Sequence, residues 1–289
     1  MSETAKEPSL LRRVPAPVWA LGFVSMLMDI SSEMIHALLP VYLVTVLGAS
    51  MATVGFIEGV AEATASIVKI FSGALSDRLG KRKALAAFGY GLAAFTKPVF
   101  ALATSLCWIV AARFVDRVGK GIRGAPRDAL VADLSPAEVR GASFGLRQSL
   151  DTIGAFAGPL IAMALMNTSG GDFRMVFWAA LIPACLSIIV LLIAVKELPI
   201  NHGEDQPHVI IRRHHIAAMP SGFWWVIVVA TLLALSRFSQ AFLVLKAHDA
   251  GMSIALIPLV LVIMHLVYSI SAYPFGILAD SFDRRLQLA

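Results

Sequence analysis

The sequence has few charged residues for its length: Asp, Glu, Lys and Arg make up 15% of its 289 residues. A soluble domain carries roughly 25% of these residues. Hydrophobic residues make up 58% of the chain, and the mean hydropathy is +0.77. Because so little charge cannot cover a water-soluble particle, the apolar surface is expected to face lipid, which excludes a soluble enzyme.

The sequence also lacks the patterns that are typical of a catalytic or metal-binding site. Its two cysteines, Cys107 and Cys185, lie in apolar runs without metal-ligand spacing, so neither a disulfide nor a metal site is predicted. No nucleophile–base pair is recognisable, and Gly119-Lys120-Gly121 lacks the spacing of a phosphate-binding loop. We therefore expect no enzymatic activity and no cofactor. The net charge of +5 is explained by basic loops at a membrane rather than by a nucleic-acid partner.

Long apolar runs predict an all-α membrane protein with about eight membrane-spanning helices, since ~20 apolar residues cross a bilayer core as a helix. The candidate spans cover residues 18–47, 51–75, 84–104, 106–132, 141–166, 174–195, 222–246 and 253–279. Thirteen Lys and Arg residues lie in the connections on one side of these spans, and two lie on the other side. This asymmetry predicts a multi-pass protein of the plasma membrane, here a bacterial inner membrane, with a cytoplasmic N-terminus.

An internal repeat indicates how the spans are grouped. A shift of 203 residues superimposes Gly73 on Gly276 and Asp77 on Asp280, so the seventh and eighth spans repeat the first and second. If the repeat unit has six spans, the second unit stops after two, and we expect a chain truncated at its C-terminus. The predicted parts are a cytoplasmic tail at 1–17, a six-helix bundle at 18–195, a cytoplasmic linker at 196–221 and a partial second bundle at 222–289.

Three motifs resemble those of the major facilitator superfamily of secondary transporters. The connection after the second span reads Gly73-Ala-Leu-Ser-Asp77-Arg78-Leu-Gly80-Lys81-Arg82-Lys83, which is similar to the superfamily signature G-x-x-x-D-R-x-G-R-R. In the fourth span, Arg117-x-x-Lys120-Gly121 resembles R-x-x-Q-G, with Lys120 in the place of the glutamine. In the fifth span, Gly154-x-x-x-Gly158-Pro159 resembles a motif of bacterial drug/proton antiporters.

This resemblance implies two six-helix bundles that rock about a central cavity, of which the chain would hold the first bundle and two helices of the second. It implies that Arg117 takes part in proton coupling or in substrate approach. It also implies a gate, whose residues would be Gly73, Asp77, Arg78, Gly80, Arg82, Asp133 and Arg140. The antiporter-type motif would consist of Gly154, Gly158 and Pro159.

Ionisable residues inside the predicted spans are the candidates for function, because a charge within a membrane is costly. Asp29, Glu33 and His36 share one helical face by their spacing, and a carboxyl group shielded from water can carry a coupling proton. The candidates for proton or cation coupling are Asp29, Glu33, Glu62 and Asp151. The candidates for substrate binding or coupling are Arg113, Arg117, Lys120 and Arg147. Alternatively, these charges form ion pairs that only hold the bundle together.

The leading hypothesis is secondary transport of a small organic solute by alternating access, with proton-coupled export. The partners would be the lipid bilayer, the small-molecule substrate, and protons or another coupling ion. The basic residues of the fourth span favour an alternative, the uptake of an anionic nutrient by symport. A further alternative is a truncated membrane protein that transports nothing.

Overall fold

The computed structural model of the protein describes residues 13–196, 219–236 and 239–281, with the backbone alone for 235–236 and 271–281. Within these ranges the chain is helical and forms no strand, which confirms the predicted all-α class. The α-helices are α1 (Ala16–His36), α2 (Leu39–Thr45), α3 (Met51–Leu79), α4 (Arg82–Leu102), α5 (Leu106–Leu134), α6 (Arg140–Thr168), α7 (Phe173–Ala179), α8 (Leu181–Ala194), α9 (Ser221–Ser236), α10 (Gln240–Asp249) and α11 (Pro258–Ser281). Short 3-10 helices precede α6 and α11, at Ala137–Val139 and Ile254–Leu256. Most of the predicted tail (1–12) and linker (197–218) lies outside the described residues.

The helices follow the predicted spans, with local breaks that have identifiable causes. The first span divides into α1 and α2 close to Pro40, which has no backbone N–H to donate. The sixth span divides into α7 and α8 at Ala180, close to Pro183. The second span is longer than predicted, because α3 continues to Leu79 and ends only where Gly80 adopts a φ of 64°.

Among the described residues, four helical segments are long and apolar enough to cross a membrane, judged by length and composition alone. They are Ala16–Thr45, Arg82–Leu102, Ala137–Thr168 and Phe173–Ala194. Helices α3 and α5 have 29 residues each, which corresponds to about 43 Å at ~1.5 Å per residue. Both carry several charged side chains, which lower their hydropathy. The total of eight spans therefore stays a prediction.

Glycines bring α3 and α4 into close contact with α5. A Cβ atom at Gly89 on α4 would lie 2.8 Å from the carbonyl oxygen of Gly119 on α5. A Cβ atom at Gly121 on α5 would lie 2.7 Å from the carbonyl oxygen of Ala65 on α3. Such distances leave room only for hydrogen, so close packing around α5 depends on these glycines.

Buried apolar residues form two clusters. One includes Val18, Tyr90 and Val131, and all of its described members lie between Val14 and Val195, in the first half of the chain. The other includes Tyr42 and Phe177 of the first half, and it also contains residues of α10, α11 and the turn between them. These second-half residues are Ala241, Val244, Leu245, Ile257 and Leu261.

The two halves therefore share buried apolar contacts at one end of the bundle. We call this the closed end; it holds the turns near residues 48, 104, 170 and 251. There Phe242 of α10 lies against α3, where a Cβ atom at Gly55 would be 2.7 Å from the phenyl ring. We call the other end, which holds the turns near residues 80 and 136, the open end. Among the described residues, its apolar cluster contains nothing from the second half.

Candidate functional site

A buried arginine joins three helices inside the bundle. Arg117 of α5 is 1% exposed. Its guanidinium donates to Glu62 Oε1 of α3 at 2.8 Å, to Asp116 Oδ2 at 3.0 Å and to His36 Nε2 of α1 at 2.6 Å. Two of the predicted candidates, Arg117 and Glu62, thus form a direct ion pair. The Glu62 side chain is 56% exposed, so this pair is open to the interior on one side.

His36 connects this arginine to a second one. Arg113 donates to Glu58 of α3 and to the same His36 Nε2 atom that accepts from Arg117. Because Nε2 accepts these bonds, the ring proton lies on Nδ1. Nδ1 in turn is 3.5 Å from Glu33 Oε1. The histidine therefore links the arginine pair of α5 to a candidate coupling carboxylate of α1.

A lysine that the sequence reasoning did not select anchors the same network. Lys97 of α4 is 1% exposed and donates from Nζ to Asp116 Oδ1 at 3.0 Å. Asp116 is 2% exposed and also accepts from Arg117, so it holds the guanidinium in place. The available signal was the lysine itself, directly before Pro98 within an apolar span. Its partner could not be read from the sequence, because the two residues lie on different helices.

A second network lies closer to the open end. Arg147 and Asp151 of α6 form an ion pair of 2.8 Å, as their spacing suggests. Arg127 of α5 pairs with Asp128 at 3.0 Å and lies 3.9 Å from Asp151. It also donates to Ser25 Oγ of α1 at 2.9 Å. The network therefore ties α5, α6 and α1 together.

The antiporter-type motif of α6 packs against the acidic face of α1. A Cβ atom at Gly154 would lie 3.1 Å from the Cβ atom of Asp29, and one at Gly158 would lie 2.7 Å from the Cβ atom of Glu33. The two glycines thus bring α6 into contact with both carboxylate-bearing residues. Pro159 follows inside the helix and is buried. Gly154 and Gly158 of α6 therefore pack directly on the helical face of α1 that carries Asp29 and Glu33.

Lys120 differs from the other predicted cations. Arg113, Arg117 and Arg147 each pair with a carboxylate, as does Arg127 of α5. Arg113, Arg117, Lys120 and Arg127 recur at helical spacing along α5 and form its basic stripe. Lys120 is exposed, and no carboxylate of the described residues lies within ion-pair distance of it. Asp29, Glu33 and Glu62 are nevertheless close enough to act on it electrostatically. Most of the predicted basic stripe is therefore neutralised, and Lys120 remains available.

The contacts of the predicted gating motif centre on Arg82. This residue pairs with Asp77 at 3.4 Å and with Asp133 at the end of α5, and it also donates to the carbonyl oxygen of Ala129 at 3.4 Å. Gly73 lies against α5, where its Cβ atom would be 3.3 Å from Ala125 Cβ.

Two other predicted gate residues take no part in these contacts. Arg78 and Arg140 are exposed and form no hydrogen bond or ion pair with any described residue. The second copy of the motif begins in the part of α11 whose side chains are not described and ends outside the described residues.

Comparison with known proteins identifies the family. The sequence model described as Major Facilitator Superfamily matches residues 21–289. The chain belongs to this superfamily. It is 31% identical over 280 residues to an uncharacterized MFS-type transporter of Methanocaldococcus jannaschii, a match that covers 95% of this chain and 69% of the relative. The Multidrug resistance protein MdtH of Photorhabdus laumondii is 31% identical over 158 residues, which is 55% of this chain and 38% of MdtH.

A solved structure supports the same fold. A bacterial homolog of the human lysosomal transporter Spinster, in an inward-facing and unoccupied conformation, matches with a TM-score of 0.73 at 18% identity. The match covers 97% of this chain and 64% of that one. The predicted MFS-type bundle is thus confirmed. The superfamily and its structural neighbours are transporters rather than enzymes. The chain spans about two thirds of the length of the Methanocaldococcus relative and of the Spinster homolog, so the activity of a whole transporter is a proposal for it.

Proposed function

We propose that the chain moves a small organic solute across a membrane by alternating access. The observation that carries this proposal is the buried apolar contact between the halves, whose described members lie at the closed end. A buried apolar contact concentrated at one end allows the halves to rock and to expose a central site to either side in turn. The charge asymmetry of the connections supports a plasma-membrane protein with its N-terminus and open end in the cytoplasm.

We further propose that the transport is coupled to protons and that Glu33 is the main carrier of the coupling proton. One of its oxygens, Oε2, is buried without a hydrogen-bond partner among the described residues, whereas Oε1 faces His36. The charged and titratable groups that face Glu33 are Asp29 and His36 of α1 and Arg113, Arg117 and Lys120 of α5; α6 presents Gly158. Proton binding would remove the negative charge beside these cations and would change how α1 and α5 attract each other.

Two features support export as the direction. The glycine pair of the antiporter-type motif contacts the two α1 residues, Asp29 and Glu33, that we assign to coupling. A relative that matches over 55% of the chain is named as a multidrug resistance protein. The uptake of an anionic nutrient receives less support than the sequence suggested, because the arginines of the basic stripe are already paired with carboxylates.

The test uses inverted and right-side-out membrane vesicles that contain the full chain. The probes are ethidium, norfloxacin and a short amino acid, and the vesicles carry an imposed pH gradient. Export predicts accumulation of a probe in inverted vesicles that collapses when the gradient is removed. Glu33→Gln should abolish the effect of the gradient, whereas Glu138→Gln at an exposed position should leave it unchanged. Accumulation only in right-side-out vesicles would contradict export, and no gradient-dependent flux of any probe would contradict the transport proposal.

A further inference from the structure

Among the described residues, Lys120 and Asp29 are two accessible charges of opposite sign inside the bundle that form no ion pair. Lys97, Arg113, Arg117, Arg127 and Arg147 each contact a carboxylate. Arg123 is buried, lies 5.0 Å from the centre of the Tyr90 ring and has one nitrogen, Nη1, without a described partner. Lys120 of α5 is the exception described above. Its side chain is exposed, in a region where Asp29, Glu33 and Glu62 supply the nearby negative charge.

The unmatched negative charge is Asp29 of α1. It forms no hydrogen bond and no ion pair with any described residue, and its side chain is partly exposed. It acts electrostatically on Lys120, Arg123 and Arg127 of α5, on Asp151 of α6 and on His265 of α11. Asp29 therefore lies near titratable groups of both halves of the chain.

An unmatched charge inside a membrane protein is costly unless water or a ligand neutralises it. Lys120 and Asp29 do not neutralise each other directly, because they are not within ion-pair distance. A ligand with one positive group would satisfy Asp29 and leave Lys120 unmatched. A ligand with one negative group would satisfy Lys120 and leave Asp29 unmatched. A ligand that carries both groups satisfies both side chains at once.

We propose that the substrate is a zwitterion whose anionic group binds Lys120 and whose cationic group binds Asp29. The buried and unpaired Oε2 atom of Glu33, one helical turn from Asp29, is a further acceptor for the cationic group. The inference rests on the proposed transport function and names the substrate class of that same site. It also assigns a role to Lys120, which occupies the position of the glutamine in the R-x-x-Q-G motif.

The test is a binding measurement on the purified full chain in detergent. The probes are ω-amino acids from glycine to aminohexanoate, each compared with the alkylamine and the alkanoate of the same chain length. Binding is read from the ligand-dependent rise in unfolding temperature. At least one amino acid should bind about tenfold or more tightly than both of its singly charged analogues, since loss of one charged contact typically costs that much.

The variants assign the two ends of the ligand. Lys120→Gln removes the partner of the carboxylate, so the amino acid should then bind only as tightly as the alkylamine. Asp29→Asn removes the partner of the ammonium group, so the amino acid should then bind only as tightly as the alkanoate. Lys246→Gln and Asp249→Asn, at exposed positions of α10, are the matched controls and should bind like the unmodified chain. If the single variants do not fold, the comparison of analogues on the unmodified chain decides the question alone.

Two outcomes would overturn the inference: no amino acid of the series binds better than its analogues, or Lys120→Gln leaves the preference intact. Failure of the transport proposal would look different. A chain that binds an amino acid with this preference but does not move it across vesicles would contradict transport while the substrate class stands. A chain that moves ethidium but shows no preference for amino acids would contradict the substrate class alone.

Discussion

Gly158 of α6 lies directly against Glu33 of α1: a Cβ atom at the glycine would be 2.7 Å from the Cβ atom of the glutamate. Since Glu33 also faces His36, this glycine sets how far α6 stands from a carboxylate that is connected to Arg113 and Arg117. A small residue at this point is therefore part of the site, although it carries no charge.

Replacement of this glycine should impair both stability and transport. Gly158→Ala forces α1 and α6 apart, and overpacking of this kind costs about 1–3 kcal/mol. The free energy of unfolding, measured by titration with a denaturing detergent, should fall accordingly, and gradient-dependent flux should fall with it. Gly145→Ala is the matched control on the same helix, because nothing lies within 4 Å of its added Cβ atom. Equal effects of the two substitutions would contradict the proposed role of the contact.

The buried pair of Lys97 and Asp116 should show strong coupling in a double-mutant cycle. Asp116→Leu alone leaves Lys97 as a buried charge without its partner, which typically costs about 3–5 kcal/mol. Lys97→Met should cost less, because Asp116 still accepts from Arg117. The double variant should be more stable than Asp116→Leu alone, because no unpaired lysine remains. Additive losses in the cycle would show that the pair does not interact in the folded protein.

The same substitutions separate a structural role from a role in coupling. Asp116 holds the Arg117 guanidinium through its second oxygen, Oδ2. The double variant should therefore regain stability but should lose the dependence of flux on the pH gradient. A double variant with normal coupling would show that Asp116 only stabilises the bundle.

The gate should depend on Arg82 more than on Arg78. Arg82 contacts both Asp77 and Asp133, whereas Arg78 is exposed and makes no contact with a described residue. Exposed ion pairs contribute up to about 1 kcal/mol each, so Arg82→Gln should shift the balance between the two conformations about fivefold. Transport rates of Arg82→Gln and Arg78→Gln provide the measurement. A larger loss for Arg78→Gln would contradict the role given to Arg82.

Most members of the site could be predicted, because charged residues within apolar spans and glycine motifs can be recognised directly in the amino-acid sequence. The spacing of Asp29, Glu33 and His36 on one face agrees with their positions on α1, and the motif at Gly154 and Gly158 marked a close helix contact. Apolar runs likewise predicted the helices to within a few residues.

The pairing of charges between helices could not be predicted. Arg117 could have paired with any acidic residue of a neighbouring helix, and its choice of Glu62 depends on how α3 and α5 approach one another. Helix approaches are set by glycines such as Gly89 and Gly121, whose partners lie far away in the sequence. For the same reason Lys97 was missed and Lys120 was not distinguished from the paired arginines.

The most direct test of the account is a distance measured across the closed end. Spin labels at Ala52 of α3 and Lys246 of α10, both exposed, would report on this contact by electron paramagnetic resonance, in a chain whose two cysteines are replaced. Alternating access coupled to Glu33 predicts a second, longer distance whose population changes between pH 8 and pH 5 and no longer responds to pH in Glu33→Gln. A single distance that is the same at both pH values and in the variant would contradict the account.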